Sequence, residues 1–313
     1  MYCFVFPGQV SQLVGMGYEV YQAFPAAKEV FKEVDDALGQ KLSKLIFEGT
    51  LEDLTLTENA QPALMAVSMA FIRVLEQEGN LNISRLALCV AGHSLGEYTA
   101  LTAAGVLKLS DTAKLLRTRG RAMQEAVPFG QGSMAAILGL DIQEVALAVQ
   151  SASQDQVCVI ANDNAPGQVV ISGHQEAIER AIALATQKGA KRCIMLPVSA
   201  PFHCPLMEPA AHIMAEALNQ VNFSKALVPV ITNVTASFET SPEVLQKGLV
   251  EQVTGQVRWR ESIESLTQYP VSQVVEVGAG KVLTGLTKRI NPELNAVAIN
   301  TPQDIETFLK LLS

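Results

Sequence analysis

The sequence predicts an α/β fold built on a parallel sheet and interrupted by a smaller α+β unit. Two observations predict it. Short apolar β-type runs alternate with helical patterns along most of the chain, and this rhythm changes between about residues 128 and 197 before it resumes.

The alternation starts with the β-type run Cys3 to Phe6, followed by helical patterns over about Val20 to Leu38 and Gln61 to Glu78 and a strand over Leu86 to Ala91. In the second helix Leu64, Val67, Met69, Phe71, Ile72 and Leu75 recur near the i, i+3, i+4 spacing of a buried face, which marks it as scaffold. The changed segment opens at Pro128-Phe129-Gly130-Gln131-Gly132. It reads strand (Met134 to Leu138), helix (Ile142 to Ser151), strand (Val157 to Ala161), strand (Val169 to Ser172), helix (Gln175 to Lys188) and strand (Lys191 to Leu196). That is the β-α-β-β-α-β order of a ferredoxin-like unit, with Asn164-Ala165-Pro166-Gly167 as the turn between its middle strands. Strands over Val228 to Thr232 and Val274 to Val277 resume the first pattern, so residues 128–197 are expected as an insertion into a discontinuous large domain of residues 1–127 and 198–313.

Composition narrows the function classes. Hydrophobic residues make up 49% and charged residues 17%, a globular balance. The uncharged run Met1 to Tyr18 contains Pro7, Gln9, Ser11 and Gln12 and cannot span a membrane; its apolar start stops at Pro7, too short for a signal peptide. A cytoplasmic location without membrane association is therefore expected. Five dispersed cysteines without a C-x-x-C pair disfavour disulfides and zinc, and no His/Cys/Asp cluster has metal-ligand spacing. The net charge of −8 disfavours nucleic acid. Gly280-Lys281 lacks the Ser or Thr of a phosphate loop, because Val282 follows. Nothing signals oligomerisation, and a monomer is expected.

Chemistry concentrates at Gly92-His93-Ser94-Leu95-Gly96, a G-x-S-x-G between the strand and a helical continuation. The glycines permit a sharp turn that would project the Ser94 hydroxyl at a helix head, where backbone N–H groups favour negative charge. The same pattern also suits a plain serine in a glycine-rich cap. A serine nucleophile needs a base. Of four histidines, His93 lies in the turn itself and would point away from Ser94, His174 at a strand–helix junction and His212 in a helical run. His203 occupies the proline-fixed loop Pro197 to Pro205, a setting that fits a catalytic group or a loop hydrogen bond. Asp111, Asp141, Asp155 and Asp163 lie between Ser94 and His203, none in a setting that marks a third member, so a Ser–His dyad is the simpler reading.

Over nearly the whole chain the sequence resembles the malonyl-CoA:acyl carrier protein transacylases. The resemblance rests on Phe4-Val5-Phe6-Pro7-Gly8-Gln9, Gln61-Pro62-Ala63-Leu64, Gly92 to Tyr98, Arg119-Gly120 with Met123 to Ala126, Pro166 to Ile171, and Glu276-Val277-Gly278 with Gly280 to Leu283. It implies a hydrolase-like large domain with an inserted ferredoxin-like subdomain, and a substrate cleft between them. It implies acylation of Ser94, proton transfer by His203, orientation of the imidazole by the Gln252 carbonyl, and oxyanion donation by the amides of Gln9 and Leu95. Arg119 would pair with the free carboxylate of malonate, a task suited to a guanidinium fork. Gln61 and Asn162 would line the pocket. Phe202 and Leu95 fit a malonyl rather than a branched acyl group. The implied partners are malonyl-CoA and acyl carrier protein, with coenzyme A as part of the substrate and no separate cofactor.

Three positions depart from the family pattern. Val10 replaces glycine in the opening loop, Ala279 replaces proline, and Gln252 to Val257 lacks an asparagine–proline pair. A β-branched residue is disfavoured at positive φ, so Val10 bears on the geometry of the Gln9 amide. Carrier docking on an acidic chain calls for local basic residues, with Lys188, Lys191, Arg192, Lys281, Lys288 and Arg289 as candidates. The competing classes are a serine thioesterase or esterase and a noncatalytic carrier-binding subunit. The absence of a histidine after His212 and the presence of Arg119 oppose the first, and the intact Ser94 and His203 oppose the second.

Overall fold

A computed structural model describes residues 1–128, 130–198 and 200–312. Phe129, in the expected boundary loop, Ser199, in the loop before His203, and Ser313 lie outside the described residues. The strands are β1 (Tyr2–Phe6), β2 (Ala87–Gly92), β3 (Gly132–Leu138), β4 (Cys158–Ala165), β5 (Gln168–His174), β6 (Arg192–Met195), β7 (Val230–Ile231), β8 (Phe238–Glu239), β9 (Gln273–Val277) and β10 (Ala296–Ile299). They form two sheets. The larger runs β10-β9-β1-β2-β7-β8, parallel except for the short antiparallel β8 at its edge. The smaller, β4-β5-β3-β6, is antiparallel with helices Ile142–Ser153 and Gln175–Gln187 packed on it. Its strands lie consecutively in the chain between β2 and β7, in the ferredoxin-like order expected.

Both faces of the large sheet are covered, as a parallel sheet requires. The period of two along β1 divides its residues: Phe4 and Phe6 enter the larger core with helix Thr57–Glu78, while Cys3 and Val5 face Trp259, Ile263 and Leu266. Four of the five cysteines are buried thiols and Cys193 is half-buried.

Several boundaries differ from the sequence reading. The expected helix over Val20 to Leu38 is two helices, Tyr18–Ala23 and Pro25–Leu38, because Phe24 before Pro25 is extended at φ −127° and ψ 126°. Helix Thr57–Glu78 starts four residues earlier than Gln61 and carries Pro62 inside it. Leu86 ends a short helix rather than opening β2, and β4 runs on to Ala165. The edge strands β8 and β10 were not anticipated; β8 has two residues, too few to show a period.

Topology sets where chemistry can occur. β1 and β2 end level with one another, Phe6 opposite Gly92, and β7 pairs beside β2 with Ala91 opposite Ile231. The loops leaving these three neighbouring strands therefore carry Gln9, Ser94 and Asn233 to one spot at the carboxyl edge of the sheet, the usual place for ligands in open α/β folds.

Candidate active site

Ser94 sits between β2 and helix Leu95–Ala103 at φ 53° and ψ −110°, outside the comfortable regions for a residue with a Cβ. The two flanking glycines make that turn possible. A Cβ on Gly92 would lie 1.9 Å from the Gly96 carbonyl carbon, and one on Gly96 would lie 2.3 Å from the Phe6 carbonyl oxygen. The turn is thus packed backbone against backbone, and it is pinned by Asn233, whose side-chain oxygen accepts the Ser94 N–H at 2.7 Å and whose amide donates to the Gly92 carbonyl at 2.7 Å.

The structure brings His203 to Ser94. Its Nε2 lies 2.8 Å from Ser94 Oγ and its Nδ1 lies 2.9 Å from the Gln252 carbonyl oxygen, with His203 itself at φ 59°. Gln252 is in the last turn of helix Pro242–Thr254, where carbonyls lack intrahelical partners, so its oxygen is free to accept an N–H. A helix C-terminus also favours positive charge on that ring as it takes up a proton. The imidazole is buried, and burial first, then the Arg119 charge, pushes its pKa down to about 3. His203 is therefore a neutral acceptor at neutral pH, with Nδ1–H directed at Gln252 and Nε2 open to the serine proton.

Arg119, one of three arginines on helix Leu109–Glu125, is fully buried although its neighbours Arg117 and Arg121 reach the surface region. Close helix packing explains the placement: Gly120 meets the backbone of Glu58, where a Cβ would stand 2.5 Å from Glu58 Cα. This brings Arg119 beside Gln61, whose Oε1 accepts from Nη1 at 2.8 Å. Nη2 donates to Gln252 Oε1 at 2.9 Å and to Ser94 Oγ at 3.2 Å, and the guanidinium carbon lies 5.6 Å from the centre of the Tyr98 ring. Arg119 Nε has no hydrogen-bond partner among the described residues. A buried guanidinium with an unused donor next to a serine oxygen is a place for an anionic group.

A cleft of about 270 Å³ opens onto Ser94 and His203 between the two sheets. Gln9, Asn162, Phe202 and Leu286 are among its lining residues, so both units of the fold contribute. Leu95 begins the helix at the elbow and is itself buried. Val10 adopts φ 78°, retaining the glycine-like conformation its position demands, and is 79% exposed. His93 lines the cleft with its Nε2 2.8 Å from Asn164 Oδ1. The ring also packs on Trp259, with centroids 5.7 Å apart. Asp163 is engaged by Arg260 and takes no part in the dyad.

Three polar residues of the site escaped the sequence reading: Glu97, Asn233 and Asn164. Glu97 stands in a helix whose residues Leu95 to Thr102 are all buried, and an acid in such a run was the available signal. Burial raises its pKa to about 7, against hydrogen bonds from Gln252 and Asn233 that pull it down. Asn233 follows a two-residue strand and carries no local pattern, and Asn164, expected in the turn with Ala165, Pro166 and Gly167, lies within β4, which leaves the turn to Pro166 and Gly167.

The acyl transferase domain family matches residues 3–293 of the chain. The malonyl CoA-acyl carrier protein transacylase of Escherichia coli K12 is 46% identical over 310 residues, covering 99% of each protein, and that of Bacillus subtilis is 46% identical over 99% of this chain and 96% of its own. An acyl-carrier-protein S-malonyltransferase structure from Bartonella henselae superposes with a TM-score of 0.97 at 55% identity, covering 99% of both chains. A malonyl-transacylase solved in complex with its type II PKS acyl-carrier protein superposes at 0.95 with 43% identity over 99% of both chains. These likenesses extend over essentially the whole fold. The chain is an enzyme of the acyl transferase family, belonging within it to the malonyl-CoA:acyl carrier protein transacylases.

Proposed function

We propose that the enzyme transfers a malonyl group from malonyl-CoA to the phosphopantetheine thiol of an acyl carrier protein through a malonyl-Ser94 intermediate. One observation carries the reading: Ser94 Oγ lies 2.8 Å from His203 Nε2 and 3.2 Å from the buried Arg119 guanidinium, so nucleophile, base and carboxylate receptor share one point.

In the first half-reaction His203 Nε2 accepts the Ser94 proton as Oγ attacks the thioester carbonyl. The Gln252 carbonyl holds Nδ1–H and so keeps the acceptor nitrogen toward the serine. The amides of Leu95 and Gln9 receive the oxyanion; losing one such donor typically costs about 3 kcal/mol of transition-state stabilisation. Coenzyme A leaves as the thiol, carrying the proton from His203. The carrier thiol then repeats the sequence in reverse, giving ping-pong kinetics. Arg119 holds the free carboxylate, and Gln61 fixes the guanidinium in place. Asn162 contributes to the wall of the cleft. For the carrier, Lys281 caps the start, and Lys288 and Arg289 stand in the last turn, of the helix whose Val282, Leu283 and Leu286 line the cleft, basic groups suited to an acidic partner.

Intact-protein mass after brief exposure to malonyl-CoA tests the intermediate, with Ser94→Ala as control. A malonyl adduct on the wild type alone, followed by transfer to carrier protein, is expected. Release as free malonate in preference to loading would instead identify a hydrolase, and no adduct would overturn the mechanism.

A further inference from the structure

The side-chain amide of Gln252 joins two buried groups of opposite charge. Its Oε1 accepts from Arg119 Nη2 at 2.9 Å, and its Nε2 donates to Glu97 Oε2 at 2.7 Å. The same carboxylate oxygen accepts the Asn233 backbone N–H at 3.1 Å, and the same Asn233 holds Ser94 through its side chain. Glu97 and Arg119 are both buried, and among the described residues neither forms a direct ion pair. The titratable groups around Glu97 are Arg119 from helix Leu109–Glu125, Tyr98 from its own helix, and His203, which reaches the cluster through Ser94 and Gln252. Tyr98 and His203 are both neutral at neutral pH because burial disfavours their charged forms. Above pH 7, where Glu97 is mostly ionised, the site without substrate therefore balances one cation, Arg119, against one anion, Glu97.

A malonyl group on Ser94 adds a carboxylate at Arg119, a premise that rests on the function proposed above. Two anions would then share one buried cation, an arrangement that low-dielectric surroundings penalise until a proton is taken up. Glu97 can take it without breaking the network. Oε2 continues to accept from Gln252 and Asn233 while Oε1 carries the proton.

We propose that Glu97 is the internal counter-ion of Arg119 and is converted from carboxylate to carboxylic acid when the malonyl-enzyme forms, taking one proton from solvent. The transfer itself is proton-neutral, since the Ser94 hydroxyl proton departs on the coenzyme A thiol. At about pH 8 the released thiol, with an ordinary pKa of about 8.5, gives part of that proton back to solvent, so the uptake that belongs to the site is the difference between the wild type and a variant that releases the same thiol without Glu97. Glu97 is already poised, its pKa held at about 7 by burial, and a second anion pushes it higher. In this reading Glu97 is a positioning residue that lets the same guanidinium stay balanced before and after the substrate carboxylate arrives.

The test is indicator-monitored mixing of weakly buffered enzyme with malonyl-CoA at about pH 8, where Glu97 is ionised at rest, with the adduct counted by intact mass. Relative to Glu97→Gln, uptake approaching about one proton per malonyl-enzyme is expected. Glu97→Gln, whose amide oxygen can accept the same two hydrogen bonds, should form the adduct with only the small proton release of the partly ionised thiol. A wild-type adduct with the same proton balance as Glu97→Gln overturns the proposal while leaving the transferase reading intact. No adduct in the wild type removes both. Should the variant fail to fold, infrared difference spectra of the wild type with carbon-13-labelled malonyl-CoA decide the matter. A new unlabelled protonated-carboxyl band on acylation supports the assignment, and its absence refutes it.

Discussion

Replacing Arg119 by lysine separates the shape of the guanidinium from its charge. The lysine keeps a cation opposite Glu97, so the charge balance of the core survives. What it cannot do is donate from a planar fork to Gln61 Oε1, Gln252 Oε1 and a substrate carboxylate at once. The wild-type fork already commits Nη1 to Gln61 and Nη2 to Gln252, leaving Nε without a partner among the described residues. If the substituted site holds malonate with one fewer charge-assisted hydrogen bond, the loss is about 1.5–3 kcal/mol. At about 1.4 kcal/mol per factor of ten, kcat/KM for malonyl transfer falls about 10- to 150-fold. An acyl-CoA without a terminal carboxylate never uses that bond, so its slower reaction should be much less affected. The assay is carrier loading with the two thioesters, alongside a thermal melt to verify that the variant is folded. An equal loss for both thioesters in a folded variant, or malonyl transfer at the wild-type rate, would refute the assignment of Arg119 to the substrate carboxylate.

Two further outcomes follow from the same geometry. His203 has a folded pKa of about 3 against an ordinary 6.5, so the unfolded chain binds more protons between those values and the histidine costs stability as pH falls through that window. Glu97 acts with the opposite sign, losing stability as pH rises from 4.5 through about 7. Melting curves of wild type and His203→Gln over the same pH series isolate the histidine: the variant should gain on the wild type progressively below pH 6.5, and a constant difference would sink the argument. At the loop before the site, Val10 holds φ 78° while 79% exposed, so it pays left-handed strain with little packing in return. Relief of about 1–2 kcal/mol of strain, less about 0.4–1 kcal/mol of added unfolded-state entropy, makes Val10→Gly modestly stabilising in denaturant titration. A lower midpoint at unchanged slope would contradict this.

The chain's own pattern determined the α/β class, the order of elements in the small unit and the serine turn. Each depends on residues adjacent in sequence: alternating apolar runs, glycines two residues either side of Ser94, prolines at fixed joints. Val10 was legible too, because a conformational demand on one residue is local. The break at Phe24 was equally local, written in Pro25 though not read there, whereas the end of β4 at Ala165 is settled by strand pairing. Arg119 shows the limit most directly. In sequence it is one arginine among three on a helix, and only the approach of Gly120 to Glu58 buries it beside Ser94. The free carbonyl of Gln252 became a partner for His203 only because a helix happens to end there, 49 residues along the chain. Glu97, Asn233 and Gln252 form one hydrogen-bonded cluster although Glu97 lies 136 and 155 residues from the other two. No local pattern can encode such a cluster, because burial and charge balance are properties of the assembled core rather than of any segment.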